Sequence, residues 1–432
     1  MAVGFLLAPD ARNHLEAYFL LFLAAAGISL RAARILTPSS RAFVLGCAAL
    51  LRATLLLRAP DLSDDVWRYL WDGRIASKGI SPYAFAPDDP RVSAFAPRIH
   101  GRLGHRDVRS VYPPAAQAAF RVFGAGGSLL VWKTFVSAAD VGVVALLAGA
   151  GGPAAGYAAA LYAFHPLPVT ETAGQGHLDS VGVALLLACL AHLHHRRQAL
   201  AGVSFALSAL TKYISLAAAI PLIRRGRCKF LAAAGLAAAA LWLSASRPGV
   251  SPFGGMDQYA TRWDFNSPLY SSAVGLMDTL QIPERAKEAF LGLKNGWGHP
   301  GWMQAVFPYF YSAFFARALL GLVLAALLIG IGVRVRRDDR AVFASLAALL
   351  ILAPTLYPWY LLWVLPFAAK LRDSAFLYLS FSIPLSYALL YPLPGVSSGL
   401  ILAAEYLPFA ALLLIPLLRP SAPPPLPSEE AG

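Results

Sequence analysis

The stretch of this chain richest in reactive side chains is Leu62 to Pro82, LSDDVWRYLWDGRIASKGISP. Ser63 is a good helix N-cap, so the paired acids Asp64 and Asp65 are expected in the first turn, where the helix dipole favours carboxylates. Gly79 and Pro82 close the helix. At helical spacing Asp64, Trp67, Arg68, Trp71, Arg74 and Lys78 share one face, with Asp65, Tyr69 and Asp72 beside it. A carboxylate accepts a proton, a cation holds a phosphate and an indole stacks on a sugar ring. One short helix with all three suits a site for a sugar and a phosphate. The structural alternative is an interfacial helix with aromatic anchors and solvated ion pairs.

Four other groups stand apart in the chain. GQGHLDS, Gly174 to Ser180, puts His177 and Asp179 at the head of an apolar segment. Lys212-Tyr213 sits in the middle of another. Trp263, Asp264 and Asn266 lie in YATRWDFNSPLY, and Tyr357, Trp359 and Tyr360 in PTLYPWY. A lone charge at membrane depth costs several kcal/mol, so Lys212 is a functional candidate by default. It lies about twelve residues from the far end of its segment, too deep to snorkel easily. His177 and Asp179 can equally cap and anchor a helix, and the aromatic groups can equally form an interfacial belt.

The elements that must position these groups follow from composition. The chain has 432 residues, 58% hydrophobic and only 14% charged, which marks a polytopic membrane protein. Long apolar runs select helices over a barrel, so the fold class is all-α. The net charge of +13 comes mostly from basic residues in short loops, which the positive-inside rule explains without nucleic acid. Cys47, Cys189 and Cys228 have no paired spacing, so neither a disulfide framework nor a metal site follows. The first residues carry no basic n-region of a cleavable signal.

Apolar segments at 14–30, 42–58, 128–149, 154–168, 180–195, 229–246, 309–333, 374–391 and 397–418 read as spans. Lys133 and Asp140, seven apart on one of them, are expected to pair. Tyr112-Pro113-Pro114 opens a half-helix at the interface. Segments 198–222 and 341–369 carry basic residues on both flanks and read as re-entrant hairpins. Lys212 and the break at Pro354–Tyr360 then sit at their tips. The count is about nine crossings plus two broken hairpins, or about 9–13 membrane helices. Arg34, Arg196, Arg225 and Arg336 fall inside. Asp65 and Trp263 fall outside, in long loops at 59–113 and 247–303, the second with a polar helix near 283–294. Residues 1–418 form one domain, and 419–432 a disordered cytoplasmic tail. No internal repeat is evident. All five groups converge on the outer face of the membrane.

SDDVWRYLWDGRIASKGISPYAF, VYPPAAQ, GQGHLDSVGVALLL, LSALTKYISL, YATRWDFNSPLY and PTLYPWYLLWVLPF together resemble the GT-C superfamily of integral-membrane glycosyltransferases. The likeness is to bacterial polyprenol-phosphate-mannose-dependent mannosyltransferases and covers about 62–370. It implies a lipid-phosphate-linked sugar donor, a glycan or glycolipid acceptor, an extracytoplasmic active site in the inner (plasma) membrane, and an acid of the first external loop as base.

The chemistry agrees. Attack on an anomeric carbon needs a general base, and a lipid phosphate leaves without a second carboxyl as acid. Cations must hold that phosphate, and Lys212, Arg68 and Arg74 are the candidates. The shared face favours Asp64 as base, with Asp65 the alternative. Trp67, Trp71, His177, Asp179, Tyr213, Trp263, Asn266, Tyr357, Trp359 and Tyr360 are the candidate substrate contacts. No cofactor is expected; the adjacent acids leave a divalent cation open, though no carboxylate cluster completes a metal site. The rival reading is a transporter or flippase of lipid-linked or small solutes, which also uses broken helices and intramembrane charge.

Overall fold

The computed structural model describes residues 10–35, 41–223, 227–297 and 305–418. Arg225 and the tail 419–432 lie outside the described residues. Those described are helices and turns, with two isolated β-bridges and no named strand. Among the described residues, five helices are long and apolar enough to cross a membrane: Leu15–Ile35, Leu129–Gly149, Cys228–Ala245, Ser312–Arg334 and Ser398–Ile415. Cys228–Ala245 and Ser312–Arg334 leave most of their apolar surface uncovered, with Leu236 and Leu243 73% and 75% exposed. Water penalises such faces and lipid does not. The protein is an all-α polytopic membrane protein.

Both segments read as hairpins are broken. Gln198–Ala209 packs on Asp179–His194, with Ser208 donating to the Gly182 carbonyl at 2.8 Å. Twelve residues of helix reach only about 18 Å, well short of the ~30 Å hydrocarbon core. A turn at Leu210 meets the head of the Pro114–Ala119 helix, where Ala115 and Ala116 donate to the Leu210 carbonyl. A 3-10 stretch, Tyr213–Ala218, then leads to Leu222, whose carbonyl accepts from Arg227. Arg227 pairs in turn with Asp338 at 2.6 Å. The second segment starts as Asp338–Leu352, opens at 353–357, and continues as Pro358–Trp363 and Leu365–Leu371. Its two ends meet, since Lys370 pairs with Asp339 at 3.2 Å.

The expected Lys133–Asp140 pair does not form. Seven residues of helix separate the two by about 10.5 Å along the axis, and nearer partners exist. Arg52 donates to Asp140 at 2.7 Å, and Tyr162 and Ser180 complete that carboxylate at 2.7 and 2.8 Å. Lys133 instead caps the carbonyls of Leu55 and Arg58 at 2.7 and 2.6 Å. The helix expected over 42–58 is shorter, Arg41–Ala53, and ends in turns that bring these two carbonyls to Lys133.

The acidic helix, Asp65–Ser77, lies against the half-helix Pro114–Ala119 and its π-turn Phe120–Gly124. Tyr69 stacks on Phe120 at 4.9 Å and meets Trp132 at 5.3 Å. Gly73 makes this approach possible, because a Cβ there would stand 2.1 Å from the Phe120 carbonyl oxygen. Gly73→Ala should therefore push the helix off its seat and cost about 1–3 kcal/mol. A detergent melting curve that does not shift would mean that the helix is free to move.

Candidate active site

The acidic helix, the Lys212 turn, the second loop and the break at 353–357 together enclose a cavity of about 950 Å³. Gln175 ties the first of these to the bundle, its Oε1 accepting from the backbone of Asp61, Leu62 and Ser63 at 3.0, 2.9 and 3.3 Å. The second loop is pinned by a parallel bridge, in which Phe265 donates to the Pro354 carbonyl and accepts from Leu356. That bridge carries Trp263 to the aromatic break.

The helix begins one residue later than expected. Asp65 is its first residue, Asp64 takes the cap position without capping, and the Ser63 hydroxyl accepts from the Asp65 N–H at 3.3 Å. Asp64 is therefore exposed to the cavity. The first loop folds back over it at Gly104, where a Cβ would stand 2.1 Å from Asp64 Oδ2. The Asp65 side chain is 30% exposed and accepts from the Tyr69 hydroxyl at 3.3 Å. Burial first, then the Asp64 charge, push its carboxyl up to about 6, with Lys212 pulling the other way.

Trp67 and Arg68 line the cavity with these acids. Arg68 Nε pairs with Asp72 at 2.9 Å, and Ser110 and Gln117 hold Asp72 from behind at 2.5 and 3.0 Å. This leaves the buried Arg68 Nη2 with no hydrogen-bond partner. Trp71 and Arg74 do not line the cavity. Trp71 is buried with Ile75, Val92 and Leu103 beneath the first loop, and Arg74 reaches the Ala125 carbonyl at 3.5 Å. Arg74 is ten residues beyond Asp64, about 15 Å along a helix, so a shared face did not mean a shared site.

Lys212 lines the cavity, but Asp179 holds it through both carboxylate oxygens, at 3.0 and 2.8 Å. Trp363 also donates to Asp179, at 2.7 Å, so Asp179 is wholly buried as a counter-ion rather than exposed as a contact. The ammonium sits 4.7 Å from the Tyr360 ring centroid. Tyr213, Trp263, Tyr357, Trp359 and Tyr360 line the walls. Tyr357 and Trp359 stack at 4.6 Å, 3° apart, and Trp359 stacks on His177 at 3.9 Å. His177 is thus fully buried behind the aromatic wall. Asn266 also lies behind it, donating to Glu405 at 2.8 Å and anchoring the second loop.

Several side chains at the site escaped the sequence reading. Arg102 stacks over Trp67 at 4.4 Å, and His105 meets Trp263 at 4.6 Å. Both come from a loop without apolar period. Tyr259 shares a 2.7 Å hydrogen bond with Tyr360. Glu171 is wholly buried within hydrogen-bond distance of Tyr387. Its one sequence signal is an acid, in VTETAG, directly ahead of GQGHLDS. The far wall is apolar, with Ile214, Leu349, Leu350 and Ala353. Among the described residues no group of three or more His, Cys, Asp or Glu is placed to hold a metal ion. The cavity therefore combines a carboxylate that ionises near neutrality, a guanidinium with a donor to spare, aromatic walls and an apolar side.

Residues 14–224 match the MptA_B family, described as alpha-(1->6)-mannopyranosyltransferase, N-terminal domain. No curated protein and no solved structure matches the chain. The matched stretch carries Asp64, Asp65, Arg68, His177, Asp179 and Lys212, and it accords with the GT-C resemblance. The match spans just under half of the chain, and it supports a membrane glycosyltransferase similar to the alpha-(1->6)-mannopyranosyltransferases.

Proposed function

We propose that this protein moves a mannosyl unit from a polyprenyl-phosphate donor to a glycan or lipid-glycan acceptor at the extracytoplasmic face of the inner membrane. The linkage formed is the α-(1→6) bond of the matched family's description. The observation that carries this reading is the convergence of Asp65, Arg68 and Lys212 on one aromatic-walled cavity with an apolar side.

Asp65 is the base. It removes the proton of the acceptor hydroxyl as that oxygen bonds to the anomeric carbon, and the bond from that carbon to the phosphate oxygen breaks. One displacement inverts the anomeric centre. The charge left on the polyprenyl phosphate meets the spare Nη2 of Arg68 and the Lys212 ammonium. The wall of Ile214, Leu349 and Leu350 takes the first isoprene units. Asp64 raises the basicity of Asp65 through its charge. The topology supports an outward site: Asp65 and Trp263 share the cavity, while Arg227, Asp338, Asp339 and Lys370 gather at the other end of the broken segments.

The test is sugar transfer by purified protein in detergent or vesicles, with polyprenyl-phosphate mannose, glucose and arabinose as donors. Mannose transfer is expected. Vesicle uptake of a lipid-linked sugar without transfer from any donor would favour the transporter reading. The base also predicts a pH profile. A carboxyl titrating at about 6 is inactive when protonated, so kcat/KM should fall about tenfold per pH unit below about 6 and level off above. A profile flat from pH 5 to 8 would exclude Asp65.

A further inference from the structure

His177 is wholly buried, and neither ring nitrogen has a hydrogen-bond partner. Each nitrogen nonetheless faces a carboxylate. Nδ1 stands 3.7 Å from Asp65 Oδ2, and Nε2 stands 3.5 Å from Glu171 Oε2. Stacking on Trp359 fixes the plane of the ring. Glu171 is also wholly buried, no Lys or Arg pairs with it among the described residues, and the Tyr387 hydroxyl donates to it at 2.9 and 3.0 Å. A buried imidazole with two orphan nitrogens between two acids needs an explanation, because each unmade bond costs about 1–3 kcal/mol.

We propose that Tyr387, Glu171 and His177 form a buried, one-directional hydrogen-bond chain that presents an N–H to Asp65, which makes His177 and Glu171 positioning residues for the base. The inference rests on the reading of Asp65 as base. In this chain Tyr387 donates to Glu171 Oε1. Glu171 is protonated, and its O–H donates to His177 Nε2. That fixes the neutral tautomer with hydrogen on Nδ1, which donates to the Asp65 carboxylate. Both ring nitrogens of His177 then have a complementary partner, and no two like groups face each other. Reversing the chain would put a lone pair of Nδ1 against an ionised Asp65.

Burial supports the protonation states. Glu171 lies in the turn between two apolar helices, and burial without a counter-cation pushes its carboxyl up to about 8. Burial, with Lys212 nearby, holds His177 well below its ordinary value, so it is neutral. The two contacts are a few tenths of an ångström longer than hydrogen bonds, as is common before substrate closes a site. The groups facing Asp65 are Asp64, Tyr69, Lys212, Asp179 and His177. Those facing Glu171 are Tyr387, Tyr18 and His177, with Asp61 and Asp179 beyond.

Glu171→Leu and Glu171→Gln in the full-length protein separate the possibilities. Leucine cannot donate to Nε2, so the tautomer is released and Asp65 loses its N–H. The kcat should fall about 10–100-fold, as for other orienting partners, with KM little changed. The acidic limb of the pH profile should move to higher pH, because the carboxylate has lost a donor. Glutamine keeps a donor to Nε2 and should recover most of the rate and the wild-type limb. Equal losses in both variants, or a limb unmoved in Glu171→Leu, would overturn the proposal. Should Glu171→Leu fail to fold, Glu171→Gln decides alone: a loss as large as 10-fold overturns it. Asp65→Asn run alongside keeps the two readings apart. If it stays active, the assignment of the base fails, whereas an inactive Asp65→Asn beside a fully active Glu171→Leu defeats only the chain.

Discussion

Asp65→Asn is expected to abolish turnover while leaving the donor bound. The amide keeps the shape of the carboxylate and cannot accept the proton, and loss of a general base typically costs ~10²–10⁴-fold in rate. Asp64→Asn should be milder. Asp64 is exposed and acts on Asp65 through its charge, so removing it should lower the Asp65 pKa and shift the acidic limb to lower pH. The measurements are single-turnover mannose transfer and donor binding by the same detergent-solubilised variants. The reverse ranking would return the base to Asp64, the residue favoured by the helical face. Near-normal turnover in both variants would remove the acidic helix from the chemistry.

Lys212→Met carries the second large effect, and it has two parts. Lys212 and Asp179 form a buried pair with side chains 14% and 0% exposed. Removing one partner strands the other charge, which typically costs about 3–5 kcal/mol. Lys212→Met alone should therefore melt at clearly lower temperature. In Lys212→Met/Asp179→Asn no charge is stranded, and stability should largely return. Donor affinity should not return, because a hydrogen bond from a charged group is worth about 1.5–3 kcal/mol, or roughly 10–150-fold in binding. A double variant with both normal stability and normal donor affinity would make Lys212 purely structural. Arg68, with its spare Nη2, is the cation that would then hold the phosphate.

Much of the architecture was legible because lipid simplifies the code. A segment with no water to bond its backbone must be helical, so Leu129–Gly149, Cys228–Ala245 and Ser312–Arg334 follow from apolar length alone. The breaks in these two segments were equally legible, since basic residues on both flanks of 198–222 and 341–369 argue against one continuous spanning helix. Lys212 stood out for the same reason: a charge there needs a partner. The identity of that partner was not legible, because Asp179 is 33 residues away and is brought to Lys212 by antiparallel packing of two helices.

Sequence by itself determined the all-α fold class, the long apolar helices and the breaks within two apolar segments. These follow from local composition and periodicity, which one stretch of chain carries without reference to any other. Tertiary structure decided who meets whom. It paired Arg52 with Asp140, sent Lys133 to cap a helix end, and left Trp71 and Arg74 outside the cavity. It also separated two adjacent acids, exposing Asp64 and placing Asp65 beside His177. A charge or hydrogen bond acts over a few ångströms, and which groups come that close is set by how helices far apart in the chain pack.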